Sequence, residues 1–319
     1  MTGLPQLPHL PAAQTALDRD GAFRDHPELF DILWSNPQTR VLAVHKGKVL
    51  LLENQGHPVA RLRLLPVESV PSAQFRVYLG KTLYAEGAEQ AGTPLVLAVL
   101  SDNSAQQLEP DASNWHELRR NGLGLSERDA AIYMQALALA NFHLSHVYCP
   151  RCGKPTMVQL GGWSRVCLDD GRQIFPRTDP AIIVSVIDEQ DRILLGSQGV
   201  WEENRWSILA GFVEAGESLT ATVVREVEEE AGVLVHDVQY LGSQAWPFPQ
   251  SLMVGFTAKV DPAHSHLQIR PDGVEIVKVR WFSREELRAE IAAGNILLPG
   301  PITIARAIIE HWYGGPLGV

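Results

Sequence analysis

Apolar residues recur at helical spacing between residues 219 and 231, with charged residues in the gaps. The apolar positions are Leu219, Val223, Val224, Val227 and Ala231. They fall on one side of a 3.6-residue helix, which predicts a stripe that packs on a core. Ser218 suits the N-cap position before this stretch, and Gly232 suits the position just after its end. The pattern therefore predicts an amphipathic helix.

Short apolar stretches elsewhere in the chain predict β-strands. Residues 40–44 and 48–52 flank a Lys-Gly pair and predict a hairpin, because Gly favours a tight turn. Residues 1–38 show no such stretch and are predicted to be rich in loops. The other predicted strands are 74–80, 94–100, 181–187, 192–196, 252–260 and 277–282.

Further helices are predicted from their start signals. Ser126 and Ser283 are each followed three residues later by an acidic residue, which is the capping-box pattern. The first of these helices is rich in Ala and is expected to run to about residue 146, and another helix is predicted over 301–313. Together with the strands, these helices predict an α+β chain.

Composition narrows the class of protein. The chain has 319 residues, of which 45% are hydrophobic and 20% are charged, as in soluble globular proteins. The net charge of −10 argues against non-specific nucleic-acid binding through a basic surface. No apolar run is long enough to cross a membrane, and the N-terminus lacks the basic start and apolar core of a signal peptide. We therefore expect a cytoplasmic protein.

Three acidic residues share one side of the predicted helix. Glu226, Glu229 and Glu230 stand three and four residues apart, and like charges at such spacings destabilise a helix by about 0.2–0.5 kcal/mol per pair. One interpretation is an ordinary solvated acidic surface. The other is a divalent metal site, because Mg²⁺ prefers carboxylate and phosphate oxygens and would remove the repulsion.

The residues around these carboxylates favour the metal site. From Gly211 to Val233 the chain fits Gly-x5-Glu-x7-Arg-Glu-apolar-x-Glu-Glu-x-Gly-apolar at every fixed position, and so it resembles the Nudix box. The resemblance implies a Nudix hydrolase, which cuts a diphosphate linked to a nucleoside. It also implies the Nudix α/β/α sandwich around a mixed sheet, with Mg²⁺ or Mn²⁺ as the catalytic cofactor.

The same resemblance assigns roles to single residues. The metal ligands that it implies are the carboxylates of Glu226, Glu229 and Glu230, the carbonyl of Ala210 and the carboxylate of Glu275, six residues before Trp281. It implies that Glu217 and Arg225 brace the loop and the helix of the site. An exposed acidic residue at a strand end is the alternative for Glu275, and Lys278 stands where some members carry a further acid.

Two prolines stiffen the chain soon after the box. Residues 246–249 read Trp-Pro-Phe-Pro, and the prolines exclude a helix or a central strand there. The two aromatic side chains suit either stacking on a flat ligand ring or covering a core. Residues 243–251 resemble a signature of the NADH pyrophosphatase branch of the Nudix family. Ala245 replaces a proline of that signature. The replacement makes the loop less rigid and costs about 0.4–1 kcal/mol of stability, because alanine leaves the unfolded chain more conformational freedom.

The cysteines predict a small metal site. They are Cys149, Cys152 and Cys167. The first two form a Cys-x2-Cys knuckle, and a zinc ribbon would place a fourth cysteine where Asp170 stands. Zn²⁺ accepts a carboxylate oxygen, so Asp170 is the first candidate for the fourth ligand. The other candidates are His146 and Asp169. A ribbon without metal is the alternative, whereas the odd cysteine count argues against a disulfide framework. NADH pyrophosphatases carry a zinc ribbon at this place.

Four segments follow from these patterns. We predict a mainly β N-terminal domain over 1–125, a connecting helix over 126–146, a zinc-ribbon-like segment over 147–176 and a Nudix domain over 177–319.

The resemblance also implies a substrate and an assembly. It predicts a homodimer that hydrolyses NAD(H) to NMN(H) and AMP, and removal of NAD from capped RNA is a related expectation because the same bond is cut. The substrate-binding residues that it implies are Phe175, Ile183, Phe212, Gln244, Trp246, Ser251, Met253, Ala305 and Arg119 or Arg120. The alternatives are a hydrolase of ADP-ribose or diadenosine compounds, and a non-catalytic NAD-sensing or regulatory module.

Overall fold

The structure is a computed structural model, and it describes residues 7, 10, 13, 15–52, 59–117, 124–264 and 268–318. These residues form two compact units. The first unit consists of Gln14–Thr178 and Trp246–Gln250. The second unit consists of Asp179–Ala245 and Ser251–Val319, together with Met1–Ala13. Arg119 and Arg120, which the sequence singles out, lie outside the described residues, and the four predicted segments stay a prediction.

In its described residues, the first unit contains a seven-stranded sheet in the order β1-β5-β6-β2-β3-β7, with β4 paired to β2. Its strands are β1 Leu17–Asp18, β2 Arg40–His45, β3 Lys48–Leu50, β4 Leu65–Pro66, β5 Ala73–Thr82, β6 Pro94–Leu100 and β7 Trp115–Glu117. Its helices are α1 Leu29–Ser35, α2 Asp102–Leu108 and α3 Glu127–Ser145. All residues of β6 are buried, so this strand lies at the centre of the unit.

The hairpin predicted near residue 46 is confirmed. Strands β2 and β3 pair antiparallel, and Lys46 and Gly47 turn the chain with φ angles of 49° and 75°. The prediction that residues 1–38 are rich in loops is wrong over α1, where Leu29 and Leu33 stand one helical turn apart and both reach the core. A helix this short has too few apolar positions for its period to be recognised in the sequence.

Helix α3 begins and ends close to the predicted positions. The Ser126 side chain accepts a hydrogen bond from the Asp129 backbone N–H, as an N-cap does. The Asp129 carboxylate instead accepts from the backbone N–H of Leu62, at 2.7 Å, so the structure shows the serine half of the predicted capping box. Burial raises the pKa of Asp129 to about 6.

A three-stranded sheet follows α3 in the described part of the first unit. Its strands are β8 Thr156–Gln159, β9 Ser164–Cys167 and β10 Gln173–Ile174, in the order β10-β9-β8. Both pairs are antiparallel. Buried Arg165 donates to the Thr156 hydroxyl at 2.6 Å and to His143 Nδ1 at 3.1 Å, which ties the sheet to α3.

As far as the structure describes it, the second unit contains a six-stranded sheet in the order β14-β15-β11-β12-β16, with β13 paired to β11. Its strands are β11 Asp179–Ile187, β12 Ile193–Gln198, β13 Leu209–Phe212, β14 Val235–Trp246, β15 Ser251–Val260 and β16 Ile276–Phe282. Its helices are α4 Leu219–Ala231, α5 Arg284–Ala292 and α6 Ile304–Tyr313. The predicted mixed sheet is confirmed, because β11 pairs parallel with β15 and antiparallel with β12.

The second unit has a core on each face of this sheet. Ile182 and Val184 of β11 pack in one cluster with Val227 of α4, and Ile183 between them packs in the other cluster with Ile308 of α6. Successive side chains of a strand point to opposite faces, so the two helices cover opposite faces. The predicted α/β/α sandwich is therefore confirmed.

The start of helix α6 and the presence of strand β14 differ from the sequence prediction. Helix α6 begins at Ile304 and not at residue 301, because Thr303 caps it by accepting from the Arg306 backbone N–H. Strand β14 was not predicted, since many of its residues are only partly buried and polar residues interrupt its apolar ones. Among the described residues, none of the helices combines the length and hydropathy that a membrane span needs.

Candidate active site

Helix α4 carries the acidic residues of the predicted site, and it forms as its sequence predicts. The Ser218 side chain accepts from the Ala221 backbone N–H, and Gly232 ends the helix in a left-handed conformation with φ 68°. Val223, Val227 and Ala231 are fully buried against the sheet. The helix is therefore fixed on its apolar side, which holds its acidic side in a defined position.

The acidic residues of α4 differ in their environments. Glu226 and Glu230 are buried and Glu229 is exposed. Both carboxylate oxygens of Glu230 are buried, and neither has a hydrogen-bond partner within the part of the chain that the structure describes. Burial, followed by the charges of Glu226, Glu275, Asp272 and Glu229, raises the pKa of Glu230 to about 8.

An ionised carboxylate that is buried without a partner is costly in the fold, and none of the described residues supplies a partner to Glu230. A hard divalent cation is such a partner, because Mg²⁺ and Mn²⁺ bind carboxylate oxygen. Burial also raises the pKa of Glu226, and the nearby charges of Glu229 and Glu275 act in the same direction. The group of carboxylates therefore fits the metal that the sequence implies.

Strand β13, which precedes α4 in the sequence, lies directly against Glu226. A Cβ atom added to Gly211 would overlap the Glu226 carboxyl group. Gly211 and Ala210 belong to β13, where Ala210 stands opposite Ile183 of β11. The sheet therefore places residues 210 and 211, including the predicted carbonyl ligand, next to the buried carboxylates.

Arg225 connects the loop before α4 to the helix. Its guanidinium donates twice to Glu217, with Nε–Oε1 and Nη2–Oε2 distances of 2.7 and 3.0 Å. Its Nη1 donates to Glu226 and to Glu229, both at 2.9 Å, and Nη2 also donates to the carbonyl of Phe212 at 3.1 Å. The bond from Arg225 lowers the pKa of Glu217 to about 2. This arrangement can perform the bracing role that the sequence suggests for Glu217 and Arg225.

Glu275 lies on a loop that Asp272 organises. The Asp272 carboxylate accepts from the backbone N–H groups of Val274, Glu275 and Ile276, at 3.0, 3.2 and 2.8 Å. The negative charge of Glu275 contributes to the raised pKa values of both Glu226 and Glu230, so Glu275 lies within electrostatic range of these two carboxylates. Sequence reasoning missed Asp272, although its Asp-Gly pair is a turn signal that could have drawn attention to it.

Several predicted substrate residues lie together in an apolar cluster of the second unit. Ile183 and Ala305 are buried there, and Met253 and Ala210 pack against the same cluster. Met253 stands opposite Ala181 in the parallel β11–β15 pair. The structure therefore groups these residues in the sheet and on α6, with Ile183 and Ala305 in the core.

The Gln244 side chain joins two elements of the second unit by hydrogen bonds. Only 1% of it is exposed, and its amide donates to the Ile302 carbonyl at 2.8 Å and accepts from the Ile304 backbone N–H at 2.9 Å. These bonds connect β14 to the start of α6, so its side chain is engaged by the fold. Ser251, at the start of β15, is buried as well.

The predicted aromatic residues fall in both units. Phe212, which is 58% exposed, is the last residue of β13 in the second unit, and Phe175, which is 56% exposed, belongs to the first unit. Trp246 also belongs to the first unit, where its ring meets that of Phe248 at a centroid distance of 4.9 Å. The exposed rings of Phe175 and Phe212 can stack on a flat ligand, whereas those of Trp246 and Phe248 are half-buried.

A second metal-binding group lies in the ribbon. One ligand atom from each of Cys149, Cys152, Cys167 and Asp170 lies within 4.8 Å of the others. Backbone N–H groups, that of Cys152 first, lower the pKa of the Cys149 thiol, whereas burial raises the pKa of the Cys167 thiol to about 11. Three sulfurs and a carboxylate fit Zn²⁺. Of the candidates for the fourth position that the structure describes, Asp170 belongs to this group.

Three models of known protein domains together match most of the chain. The model of the NUDIX domain matches residues 176–298. The model of the NADH pyrophosphatase zinc ribbon domain matches residues 144–175, and that of the NADH pyrophosphatase-like rudimentary NUDIX domain matches residues 38–141.

Two curated relatives match about three fifths of the chain, and a solved structure matches about half of it. The chain is 47% identical over 204 residues to the NAD-capped RNA hydrolase NudC of Mycobacterium tuberculosis, which covers 61% of this chain and 64% of that protein. It is 36% identical over 202 residues to the human NAD-capped RNA hydrolase NUDT12, covering 60% of this chain and 43% of that protein. A crystal structure of a NUDIX hydrolase from Nitrosomonas europaea superposes with a TM-score of 0.41 and 21% identity, covering 54% of this chain and 96% of that one.

The matched segments of both curated relatives are thus less than two thirds of their length. The box on α4, the carboxylate group beside it and the three matching domain models nevertheless agree with one another. The chain belongs to the Nudix family, and it carries the zinc ribbon and the rudimentary Nudix domain of NADH pyrophosphatases.

Proposed function

We propose that this protein hydrolyses the pyrophosphate bond of NAD(H) to give NMN(H) and AMP, and that the same cut removes NAD from capped RNA. The observation that carries the proposal is the buried Glu230 carboxylate, which lacks a partner among the described residues and belongs, with Glu226, to a complete Nudix box. The names of the relatives supply the substrate, since both are NAD-capped RNA hydrolases.

The residues of the site have different roles in the proposed hydrolysis. Glu226, Glu229, Glu230 and Glu275 would hold Mg²⁺ or Mn²⁺, which when bound neutralises the diphosphate and lowers the pKa of a water molecule. Arg225 orients the carboxylates of Glu226 and Glu229 through its 2.9 Å bonds to both. Glu229 is exposed, so it is the α4 carboxylate best placed to take a proton from an entering water molecule.

The ribbon has a supporting role in this proposal. Zn²⁺ held by Cys149, Cys152, Cys167 and Asp170 would fix the turns that carry these residues, as structural zinc does. We also propose that the protein acts as a homodimer in the cytoplasm. Sedimentation equilibrium of the purified chain tests the dimer.

Turnover of four substrates tests the activity. NADH, NAD, ADP-ribose and a diadenosine polyphosphate are each incubated with the protein and either Mg²⁺ or Mn²⁺, and the products are separated by chromatography. We expect the highest kcat/KM for NADH or NAD, with NMN(H) and AMP as products. Equal or higher kcat/KM for ADP-ribose or the diadenosine compound would instead show a broader diphosphate hydrolase.

A further inference from the structure

The Trp246–Gln250 segment belongs to the first unit, although the chain on both sides of it belongs to the second. In the first unit its prolines face part of the rudimentary Nudix domain. Pro247, Phe248 and Pro249 line a cavity of about 350 Å³. The remaining lining residues are Lys46, Gly47, Glu117, Leu137 and Asn141. The loop that follows Trp246 thus shares the lining of this cavity with residues far from it in sequence.

One face of α3 supports this loop. Tyr133, Leu137 and Asn141 stand four residues apart, so they form one stripe on the helix. The Tyr133 hydroxyl lies 2.6 Å from the Gly47 carbonyl and 3.1 Å from the His116 carbonyl, which joins α3 to the β2–β3 turn and to β7. Leu137 lines the cavity between that contact and the loop.

Asn141 holds the loop itself. Its side-chain amide nitrogen donates to the Pro247 carbonyl at 3.0 Å and to the Pro249 carbonyl at 2.9 Å. Both N–H groups of the amide are thereby used, and they bond on either side of Phe248, whose ring packs on that of Trp246. A backbone carbonyl is a strong acceptor that needs a donor, and Asn141 supplies one to each of these two carbonyls.

We propose that Asn141 is a positioning residue for dinucleotide specificity: the rudimentary Nudix domain holds the Trp246 ring in place through the two bonds of Asn141. The proposal rests on the proposed function, because it gives Trp246 the task of binding the nicotinamide half of the substrate. It gives the first unit a part in substrate selection that does not require any catalytic group of its own.

Two substitutions test this role. Asn141→Asp keeps the shape but removes both donors and places a carboxylate against two carbonyls, and Asn141→Ala removes the group. We expect KM for NADH to rise about tenfold in both variants with kcat within about twofold of wild type, since two hydrogen bonds to the loop are lost. In a Trp246→Ala background the same substitutions should leave KM unchanged, because the ring that Asn141 positions is then absent.

Hydrogen exchange supplies a readout that does not depend on turnover. In the full chain without nucleotide, the backbone amides of residues 246–251 should exchange faster in both Asn141 variants. Leu144→Ala, an exposed position on the same helix, is the matched control and should behave as wild type in KM and in exchange.

Wild-type KM or wild-type exchange in the Asn141 variants would overturn the proposal, as would an equal change in Leu144→Ala. If the wild-type protein does not cleave NADH at all, the proposed function fails, and the exchange rates alone decide whether Asn141 holds the loop.

Discussion

The carboxyl group of Glu226 lies against Gly211 with no space for a side chain between them. The backbone of Gly211 is outside the left-handed region, so its conformation alone does not demand glycine. The first glycine of the box is therefore needed for space. It allows a buried carboxylate on α4 to approach the strand that carries Ala210 and Gly211.

Gly211→Ala should displace the Glu226 carboxylate and lower kcat for NADH by about a hundredfold, because a shift of about 1 Å in a catalytic group has an effect of this size. Steady-state kinetics with Mn²⁺ measures it. Gly315→Ala is the control, since a Cβ atom there meets nothing within 4 Å. Similar activity of the two variants would contradict the steric role of Gly211.

Glu229→Gln and Glu230→Gln should each lower kcat by at least about a hundredfold while the fold survives, as expected for the loss of a metal ligand or a base. Glu228→Gln is the matched control, because Glu228 is exposed on the same helix and is not one of the predicted ligands. Near-wild-type turnover in both site variants, with unchanged metal dependence, would refute the site.

Glu230 should make the metal-free protein less stable as the pH rises. Its pKa is raised by burial from 4.5 to about 8, so the folded state holds a proton that the unfolded state loses above pH 4.5. The contribution of the protonated group to the free energy of unfolding is therefore complete below pH 4.5. It is lost as the pH rises towards 8, and the free energy of unfolding falls by up to roughly 1.4 kcal/mol per pH unit. Urea denaturation of protein dialysed free of Mg²⁺ and Mn²⁺ measures this slope. Glu230→Gln should flatten it; an identical slope in wild type and variant would contradict the assignment.

Trp246→Ala should raise KM for NADH more than KM for ADP-ribose, which lacks the nicotinamide ring. The reason is the stacking role proposed for the aromatic pair of Trp246 and Phe248. Comparison of the two KM values in one variant keeps the rest of the site constant. Equal increases for both substrates would make Trp246 a packing residue.

The ribbon should contain about one zinc ion per chain, bound less tightly at low pH because its ligands protonate there. Asp170→Cys should retain zinc to lower pH than wild type, since zinc favours sulfur, and Asp170→Ala should retain it less well. Elemental analysis after gel filtration at several pH values measures the content. Asp169→Ala is the neighbouring control and should match wild type. Zinc well below one equivalent in wild type, with free thiols and an intact fold, would mean a ribbon without metal.

Local patterns in the sequence were sufficient for much of the second unit. The stripe and caps of α4 lie within fifteen consecutive residues, and the capping box of Ser283 and Glu286 forms as its spacing predicts. The contacts of Asn141 and Gln244 could not be predicted in this way. Their partners lie 108 and 60 positions away, at Pro249 and Ile304, and no sequence period connects them.

The sequence also could not show which of the acidic residues on α4 are buried. Glu226, Glu229 and Glu230 are the same residue type at helical spacing, but only the packing of α4 on the sheet decides that Glu229 faces solvent and Glu230 does not. The box identifies all three, whereas the different pKa values depend on neighbours such as Asp272 and Glu275 that come from another part of the chain.

The membership of Trp246–Gln250 in the first unit has a consequence for the order of synthesis. A ribosome completes residues 14–178 well before it reaches residue 246, so the first unit emerges with the two donors of Asn141 still facing water. We expect this unit to acquire its native cavity wall only after the following strands, up to β14, have been made. Maturation of the rudimentary domain would then wait for the Nudix domain, and an arrested nascent chain ending before residue 246 would expose the surface that the loop later covers.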